Sequence, residues 1–158
     1  MSENDKDAAA VRFPPPFAYL IALVVGALLQ WFVYPLPLEV PMTLRIGAGV
    51  VTALAGIGLV ASAFGLFRGI GQDPAPWTST PEIVTEGIYR VTRNPMYVGM
   101  ALLQLGIGIG LANGWIVAFV PLVLAVVYAT AVRHEEAYLE RKFGEGYLVY
   151  KRSVRRWL

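Results

Sequence analysis

The sequence predicts an all-α membrane protein with four transmembrane helices, and three observations lead to that prediction. Of the 158 residues, 56% are hydrophobic, and the mean hydropathy is +0.56. Only 15% of the residues are charged, whereas a soluble domain has about a quarter. The apolar residues also fall into four segments, separated by prolines, glycines and polar runs. The length suits a single domain.

The four apolar segments are residues 17–34, 44–67, 96–111 and 115–132. A membrane-spanning helix needs about 20 residues, with a range of roughly 17 to 25. The first and fourth segments meet this requirement, the second is the longest, and the third falls just short. We expect the third helix to be tilted against its neighbours or to begin in the interface. The Ala-Asn-Gly turn signal at residues 112–114 predicts that helices three and four form a tight antiparallel pair.

The orientation follows from the basic residues. If both termini and the loop between helices two and three share one side, Arg45 is the only basic residue of the 13 on the other side. The positive-inside rule then puts both termini in the cytoplasm. We expect a disordered cytoplasmic tail over residues 1–12 and one membrane domain over residues 13–158. The basic residues of the cytoplasmic side are Lys6, Arg12, Arg68, Arg90, Arg93, Arg133, Arg141, Lys142, Lys151, Arg152, Arg155 and Arg156.

Composition also excludes several kinds of site. The chain has no cysteine and a single histidine, His134, so we predict no disulfide and no metal site. A net charge of +2 gives no reason to expect a nucleic-acid partner. No charged residue lies deep inside an apolar segment. This argues against a proton-coupled transporter, which needs a charged residue there. The expected partners are the lipid bilayer and a lipophilic small molecule or lipid, and the oligomeric state stays open.

The glycines of the second and third segments predict closely packed helices. Gly106 and Gly110 are four residues apart, and the second segment contains five glycines; small residues at such spacing let helices approach closely. The run "GIGIG" at residues 106–110 resembles a nucleotide-binding glycine loop. Such a loop needs a preceding strand, and the sequence offers none here, so we interpret the run as packing.

The first polar block is "RVTRNPMYVGM", residues 90–100. Asn-Pro is typical of a turn, and proline suits the first turn of a helix, so a polar loop ends here and the third helix begins. The loop that precedes it, residues 68–94, is long and rich in proline, and long loops in compact domains are usually functional. We expect this loop to cover a pocket.

The second polar block is "RHEEAYLERKFGEGYLVYKRSVRRWL", residues 133–158. A helix is expected to continue to about Phe143 and to stop at Gly144. It would carry Glu135, Leu139 and Phe143 on one face, and Tyr147 and Tyr150 would share a face of a further short helix. The simplest interpretation of the block is an interfacial helix in which Arg155, Arg156 and Trp157 meet lipid headgroups. That interpretation leaves the adjacent carboxylates Glu135 and Glu136 unexplained.

The two blocks, in this order and separated by a helical hairpin, resemble the integral-membrane methyltransferases, which include isoprenylcysteine carboxyl methyltransferase and phosphatidylethanolamine N-methyltransferase. The resemblance covers residues 78–157, about half of the chain. It implies S-adenosylmethionine as cofactor, bound by the loop between helices two and three and by the C-terminal helical tail. The carboxyl methyltransferases usually have histidine where this chain has Asn94, which some phospholipid methyltransferases also have. The residues that match the family's cofactor-binding blocks are Arg93, Asn94, Pro95, Tyr97, Gly99, Glu135, Glu136, Leu139, Phe143, Gly144, Tyr147 and Tyr150.

The chemistry of these residues suits a sulfonium cofactor. Carboxylates pair with cations, an arginine holds a carboxylate, and aromatic rings stack on adenine or face a cation. We expect Glu136 to bind the cofactor and Arg133 or Arg152 to orient a lipophilic acceptor at the cytoplasmic face. His134 or a glutamate is the candidate base for an amine acceptor. Two alternatives remain: an NADPH-dependent membrane reductase of the sterol type and a noncatalytic four-helix membrane protein.

Overall fold

The protein is described by a computed structural model that covers residues 9, 11, 13–71, 78 and 80–158. Within these residues the regular structure is helical, apart from two isolated β-bridges. The α-helices are α1 (Pro15–Leu28), α2 (Met42–Gly69), α3 (Pro95–Gly110), α4 (Gly114–Val127), α5 (Arg133–Phe143) and α6 (Glu145–Ser153). π-helical turns, Leu29–Val33 and Tyr128–Val132, extend α1 and connect α4 to α5, and a 3₁₀ turn, Gly87–Arg90, precedes α3.

Among the described residues, three continuous helical segments are long and apolar enough to cross a membrane. They are Pro15–Val33, Met42–Gly69 and Gly114–Phe143. The helix Pro95–Gly110 is apolar but has only 16 residues, as the sequence predicts. The helix boundaries agree with the predicted apolar segments to within a few residues, because prolines and turn residues mark nearly every end. The described helices thus confirm an all-helical membrane protein.

Helix α3 lies against α2 over most of its length, and glycines make that approach possible. A Cβ atom added at Gly56 would lie 2.5 Å from the carbonyl oxygen of Gly99, and one added at Gly106 would lie 2.6 Å from that of Gly49. Gly108 faces α4 instead, where Ile116 would meet an added Cβ at 2.9 Å. Packing as the role of the "GIGIG" run is therefore confirmed.

One end of the bundle holds neutral hydrogen bonds; we call residues 29–41 and 111–116 the turn end. Asn113 caps α4 by accepting from the amide of Ile116 at 3.1 Å, and its side-chain nitrogen donates to the carbonyl of Gly26 at 3.1 Å. The amide of Gly114 donates to the carbonyl of Leu36 at 2.7 Å. The tight α3–α4 pair predicted from the Ala-Asn-Gly turn is confirmed, and α1 joins it here.

The opposite end of the bundle carries both polar blocks; we call residues 89–97 and 133–158 the charged end. Helix α5 ends at Phe143 and Gly144 follows with φ +54°, a conformation that favours glycine. This break turns the chain into α6, as predicted. After α6 the chain forms a parallel bridge between Arg155 and Thr92. The C-terminus thereby returns to the segment that begins α3.

Candidate active site

A cavity at the charged end joins the two polar blocks. The first block contributes five consecutive residues, Arg93 to Tyr97, which include the start of α3. The loop before it contributes Thr80, Ile83, Val84 and Tyr89, so the described part of the loop 68–94 covers a cavity, as expected. Residues 72–77 and 79 lie outside the described residues. The second block contributes Glu135, Tyr138, Leu139, Tyr147 and Tyr150.

Arg93 is the buried cation of the cavity. Its side chain is only 7% exposed, and one of its terminal nitrogens, Nη2, lies 3.3 Å from Oε1 of Glu136. Among the residues that the structure describes, its Nε and Nη1 atoms have no hydrogen-bond partner. A buried donor without a partner costs about 1 to 3 kcal/mol, and more when charged. An anionic ligand that reached one of these atoms would offset part of that cost.

Glu135 is the carboxylate that lines the cavity. The hydroxyl of Tyr97 donates a hydrogen bond to its Oε1 atom, and Tyr97 is itself held in place because its carbonyl accepts from the hydroxyl of Tyr19 at 2.9 Å. One residue from α1 and one from α3 therefore fix the orientation of this α5 carboxylate. A cationic group in the cavity would meet a fixed anion here.

Glu136, the adjacent carboxylate, contacts cationic side chains of the protein. Arg156 donates to both of its oxygens, from Nε at 2.9 Å and from Nη2 at 3.0 Å. Glu136 is 7% exposed and is not among the residues that line the cavity. Lys151 lies 4.0 Å from its second oxygen and also pairs with Glu140. Glu136 is thus surrounded by cations of the protein.

The C-terminal tail, Val154–Leu158, holds the first polar block in place. The amide of Arg93 donates to the carbonyl of Arg155 at 2.9 Å. The carbonyl of Arg156 accepts from the hydroxyl of Thr92 at 3.1 Å and from the side-chain nitrogen of Asn94 at 3.0 Å. Trp157 packs against the buried cluster around α1, α3 and α4. The tail therefore fixes the position of the buried arginine.

Tyrosines form much of the cavity wall. Burial raises the pKa of Tyr147, and it raises the pKa of Tyr150 to about 12. The hydroxyl of Tyr150 donates to the carbonyl of Tyr89 at 2.8 Å, and the ring of Tyr89 lies edge-on to that of Phe67. These hydroxyls remain protonated at neutral pH, so the tyrosines supply apolar surface and donors rather than charge.

The structure brings most of the predicted site residues together. Arg93, Asn94, Pro95, Tyr97, Glu135, Leu139, Tyr147 and Tyr150 all line the cavity. Asn94 and Glu136 both contact Arg156, Asn94 through its carbonyl and Glu136 through its guanidinium, but only Asn94 lines the cavity. Gly99 packs against α2, where its added Cβ would lie 2.7 Å from the carbonyl of Gly56. The ring of Phe143 lies beside Lys142 instead of lining the cavity.

Both arginines expected to orient the acceptor lie away from the cavity. Arg133 is exposed, and its Nε atom lies 3.3 Å from the Nε2 atom of His134. The side chain of Arg152 is 68% exposed and pairs with Glu145 on α6. A role for either one in catalysis remains a prediction, as does a cofactor contact by Glu136.

Several site residues were not predicted from the sequence. Tyr89 and Tyr138 line the cavity, and Thr92 is completely buried beneath it. The side chain of Arg156 pairs with Glu136, a contact that the interfacial interpretation does not include, and its contact with lipid headgroups stays a prediction. Its neighbour Arg155 is exposed. In an extended tail, successive side chains point in opposite directions. Once the tail is known to be extended, this rule predicts that Arg155 and Arg156 face opposite sides.

The expected disordered tail falls mostly outside the described residues. Ala9 and Val11 are described, and they contact the protein: Ala9 is buried at the cavity, and Val11 packs against the buried cluster. The expectation that residues 1–12 are disordered therefore stays a prediction for the remaining positions.

Known proteins resemble this chain over part of its length. Residues 44–146 match the model of the phospholipid methyltransferase family. A protein-S-isoprenylcysteine O-methyltransferase of Schizosaccharomyces pombe is 38% identical over 72 residues, which are 46% of this chain and 30% of that protein. Protein-S-isoprenylcysteine O-methyltransferase B of Arabidopsis thaliana is 32% identical over 73 residues, 46% of this chain and 37% of that protein.

A bacterial relative is matched along its whole length. An uncharacterized protein of Haemophilus influenzae is 38% identical over 63 residues, which are 40% of this chain and 100% of that protein. The two isoprenylcysteine methyltransferases above, in contrast, are matched over only about a third of their length.

Proposed function

The chain belongs to the phospholipid methyltransferase family, and from that premise we propose that it transfers a methyl group from S-adenosylmethionine to a lipophilic acceptor. The observation that carries this proposal is the pair of unpartnered nitrogens on Arg93, in a cavity that also contains the carboxylate of Glu135. S-adenosylmethionine carries a carboxylate together with two cationic groups. A cavity with one buried cation and one fixed anion complements that charge pattern.

The topology that we propose has four spans, with α3 as the short one, and the charged end facing the cytoplasm. The sidedness of the basic residues supports it, because Arg45 near the start of α2 is the only one expected on the opposite side. A water-soluble cofactor would then enter from the cytoplasm. Reporter fusions at Glu39 and Asn113 that read as cytoplasmic would overturn this topology.

Three groups of cavity residues would each contact a different part of the cofactor. Arg93 would hold the cofactor's carboxylate through Nε or Nη1, with Asn94 beside it. Glu135 would face its ammonium or ribose hydroxyls. Tyr147 and Tyr150, whose rings lie 6.1 Å apart, offer aromatic surface to an adenine ring. When bound, S-adenosylmethionine supplies an electrophilic methyl group on a sulfonium sulfur.

The protein's part in methyl transfer is positioning and exclusion of water. Arg93 and Glu135 fix the two charged ends of the ligand, because the C-terminal tail holds the former and Tyr97 holds the latter. Pro95 and Leu139 add apolar wall and keep water away from the reacting atoms. A carboxylate acceptor needs no base. An amine acceptor must lose a proton, and Glu135 is the acidic side chain that lines the cavity.

An apolar groove supports a lipophilic acceptor. It lies between α1 and α4 and is lined by Phe13, Ala22, Phe119 and Val126, among other apolar residues. Ala18, which also lines the groove, is adjacent to Tyr19, whose hydroxyl contacts the cavity residue Tyr97. We place the acceptor's hydrocarbon chain in this groove. The named relatives act on isoprenylcysteine, so a prenylated thioether carboxylate and a phospholipid amine are the acceptors to test first.

We assign the cofactor-facing carboxylate to Glu135 in preference to Glu136. The sequence-based assignment to Glu136 remains the alternative. The contacts of Glu136 with Arg93, Lys151 and Arg156 support a role in holding cations of the protein. Arg93 lines the cavity, whereas Arg133 and Arg152 do not. Arg93 is therefore a better candidate for binding an anion than either of them.

Ligand titration tests the proposed function. The purified protein in lipid nanodiscs is titrated separately with S-adenosylhomocysteine and with NADPH. Binding of the first alone supports the proposal. Binding of NADPH alone supports the membrane reductase, and binding of neither supports a noncatalytic protein. Methyl transfer from labelled S-adenosylmethionine to farnesylated thiol acids and to phospholipid amines then identifies the acceptor class.

A further inference from the structure

Two arginines contact Glu136, and they do so in different ways. Arg156 donates to both oxygens of Glu136, at 2.9 Å and 3.0 Å. Arg93 makes a single ion contact with the same carboxylate, at 3.3 Å, and keeps two nitrogens without a partner. Arg156 is not among the residues that line the cavity, whereas Arg93 is.

We infer that Arg156 is a positioning residue that keeps the guanidinium of Arg93 available to an anion in the cavity. This inference depends on the proposed function in one respect, since the anion is taken to be the carboxylate of the cofactor. Arg156 acts through Glu136 and does not itself touch the ligand.

The physical basis is competition for one carboxylate. A carboxylate and a guanidinium pair best through two parallel hydrogen bonds, and Arg156 occupies both oxygens of Glu136 in that way. If Arg156 is removed, Glu136 becomes a buried carboxylate with a nearby guanidinium, and an unpaired buried charge is strongly unfavourable. Arg93 would then turn its remaining nitrogens to Glu136 and away from the cavity. The other neighbouring cation, Lys151, is already paired with Glu140.

Several contacts hold Arg156 in this role. Its guanidinium carbon lies 4.9 Å from the ring centroid of Tyr128, a cation–π geometry. Its carbonyl accepts from Thr92 and Asn94, the residues on either side of Arg93. The hydrogen bond to Glu136 also raises the pKa of Arg156. The side chain that competes for Glu136 and the main chain that positions Arg93 therefore belong to the same residue.

A double-mutant cycle tests the inference. Affinity for S-adenosylhomocysteine is measured for the wild type, Arg156→Gln, Glu136→Gln and the double variant. We expect Arg156→Gln to weaken binding by about tenfold, as if one charged hydrogen bond were lost. The double variant should return to within about threefold of the wild type, because Arg93 then has no carboxylate to turn to. A double variant that binds no better than Arg156→Gln overturns the inference.

Two further variants separate positioning from folding. Arg141→Gln removes one exposed positive charge from α5 and should leave binding unchanged. Arg156→Lys keeps the positive charge but cannot form the paired hydrogen bonds. If Arg156→Gln does not fold, the same cycle is run with Arg156→Lys and with Arg156→Lys combined with Glu136→Gln. Recovery of binding by the second substitution again supports the inference, and its absence overturns it.

A cofactor-independent signal distinguishes failure of the inference from failure of the proposed function. The Nε–H resonance of Arg93, assigned with an Arg93→Lys variant, reports whether this donor gains a hydrogen bond. We expect it to shift in Arg156→Gln and to return toward its wild-type position in the double variant. An unchanged resonance in Arg156→Gln overturns the inference. A wild-type protein that does not bind S-adenosylhomocysteine rejects the proposed function, and the resonance still decides the inference.

Discussion

The two ends of the helical bundle differ in whether their buried polar side chains are fully hydrogen-bonded. At the turn end Asn113 is 5% exposed, and its side chain both donates and accepts a hydrogen bond. At the charged end Arg93 is nearly as buried, yet two of its nitrogens have no partner among the described residues. Satisfied polar groups stabilise a fold, whereas an unsatisfied buried cation is costly unless a ligand completes it. The comparison supports the proposal that the charged end is the functional one.

The largest effect that we expect from breaking this contrast is on ligand binding at Arg93. Arg93→Gln removes the cation that the cavity offers to an anion. The affinity for S-adenosylhomocysteine should fall by about 100-fold, or about 2.7 kcal/mol, as for the loss of one strong charge-assisted hydrogen bond. Isothermal titration calorimetry measures this, with Arg141→Gln as the control. An Arg93→Gln variant that binds as tightly as the wild type contradicts the account.

The two adjacent glutamates should differ in their effects. Glu135→Gln removes the anion that lines the cavity and is expected to weaken S-adenosylhomocysteine binding by about tenfold. Glu136→Gln leaves the cavity lining intact, so its effect on binding should stay below about threefold, with a larger loss of thermal stability. The reverse order of the two affinities would restore the sequence-based assignment to Glu136.

Between the two ends, an added methyl group should disturb helix packing only where a glycine contacts the backbone of a neighbouring helix. Gly56→Ala places a Cβ 2.5 Å from the carbonyl oxygen of Gly99, so α2 and α3 must separate. We expect the free energy of unfolding to fall by about 1 to 3 kcal/mol. Gly58 on the same helix has nothing within 4 Å of its added Cβ, and Gly58→Ala is the control. Equal unfolding free energies for both variants would argue against this packing.

At the turn end the expected effect is on stability alone. Asn113→Ala removes the cap of α4 and the side-chain hydrogen bond to the carbonyl of Gly26, which should destabilise the protein by about 1 to 2 kcal/mol. The affinity for S-adenosylhomocysteine should remain within about twofold of the wild type, because this residue is at the far end of the bundle. A large change in affinity would show that the two ends are coupled.

The smallest effect concerns the cavity tyrosines and alkaline pH. Burial raises the pKa of Tyr150 to about 12, above the unfolded value of about 10. The stability that this group contributes is therefore complete below about pH 10 and is lost as the pH rises toward its folded pKa. Melting temperatures should be level from pH 7 to 9 in the wild type and fall above pH 10, and Tyr150→Phe should reduce that fall. A fall of the same size in Tyr150→Phe contradicts this assignment.

The sequence predicts the helices better than it predicts the contacts of the site. Apolar runs and turn residues are local signals, so the ends of α3 and the break at Gly144 could be placed without a structure. The cavity depends on non-local geometry. Glu135 and Glu136 are adjacent on one helix, and which of them faces the cavity depends on where α3 and the C-terminal tail pack. Nothing local indicates that the tail returns to Thr92, so the pairing of Arg156 with Glu136 could not be predicted.

The structure of the protein with bound S-adenosylhomocysteine tests the central claim most directly. We expect the ligand in the cavity between the two polar blocks, with its carboxylate within hydrogen-bonding distance of Nε or Nη1 of Arg93 and its ammonium or ribose near Glu135. A ligand bound elsewhere on the protein, with these two nitrogens still without a partner, would contradict the account.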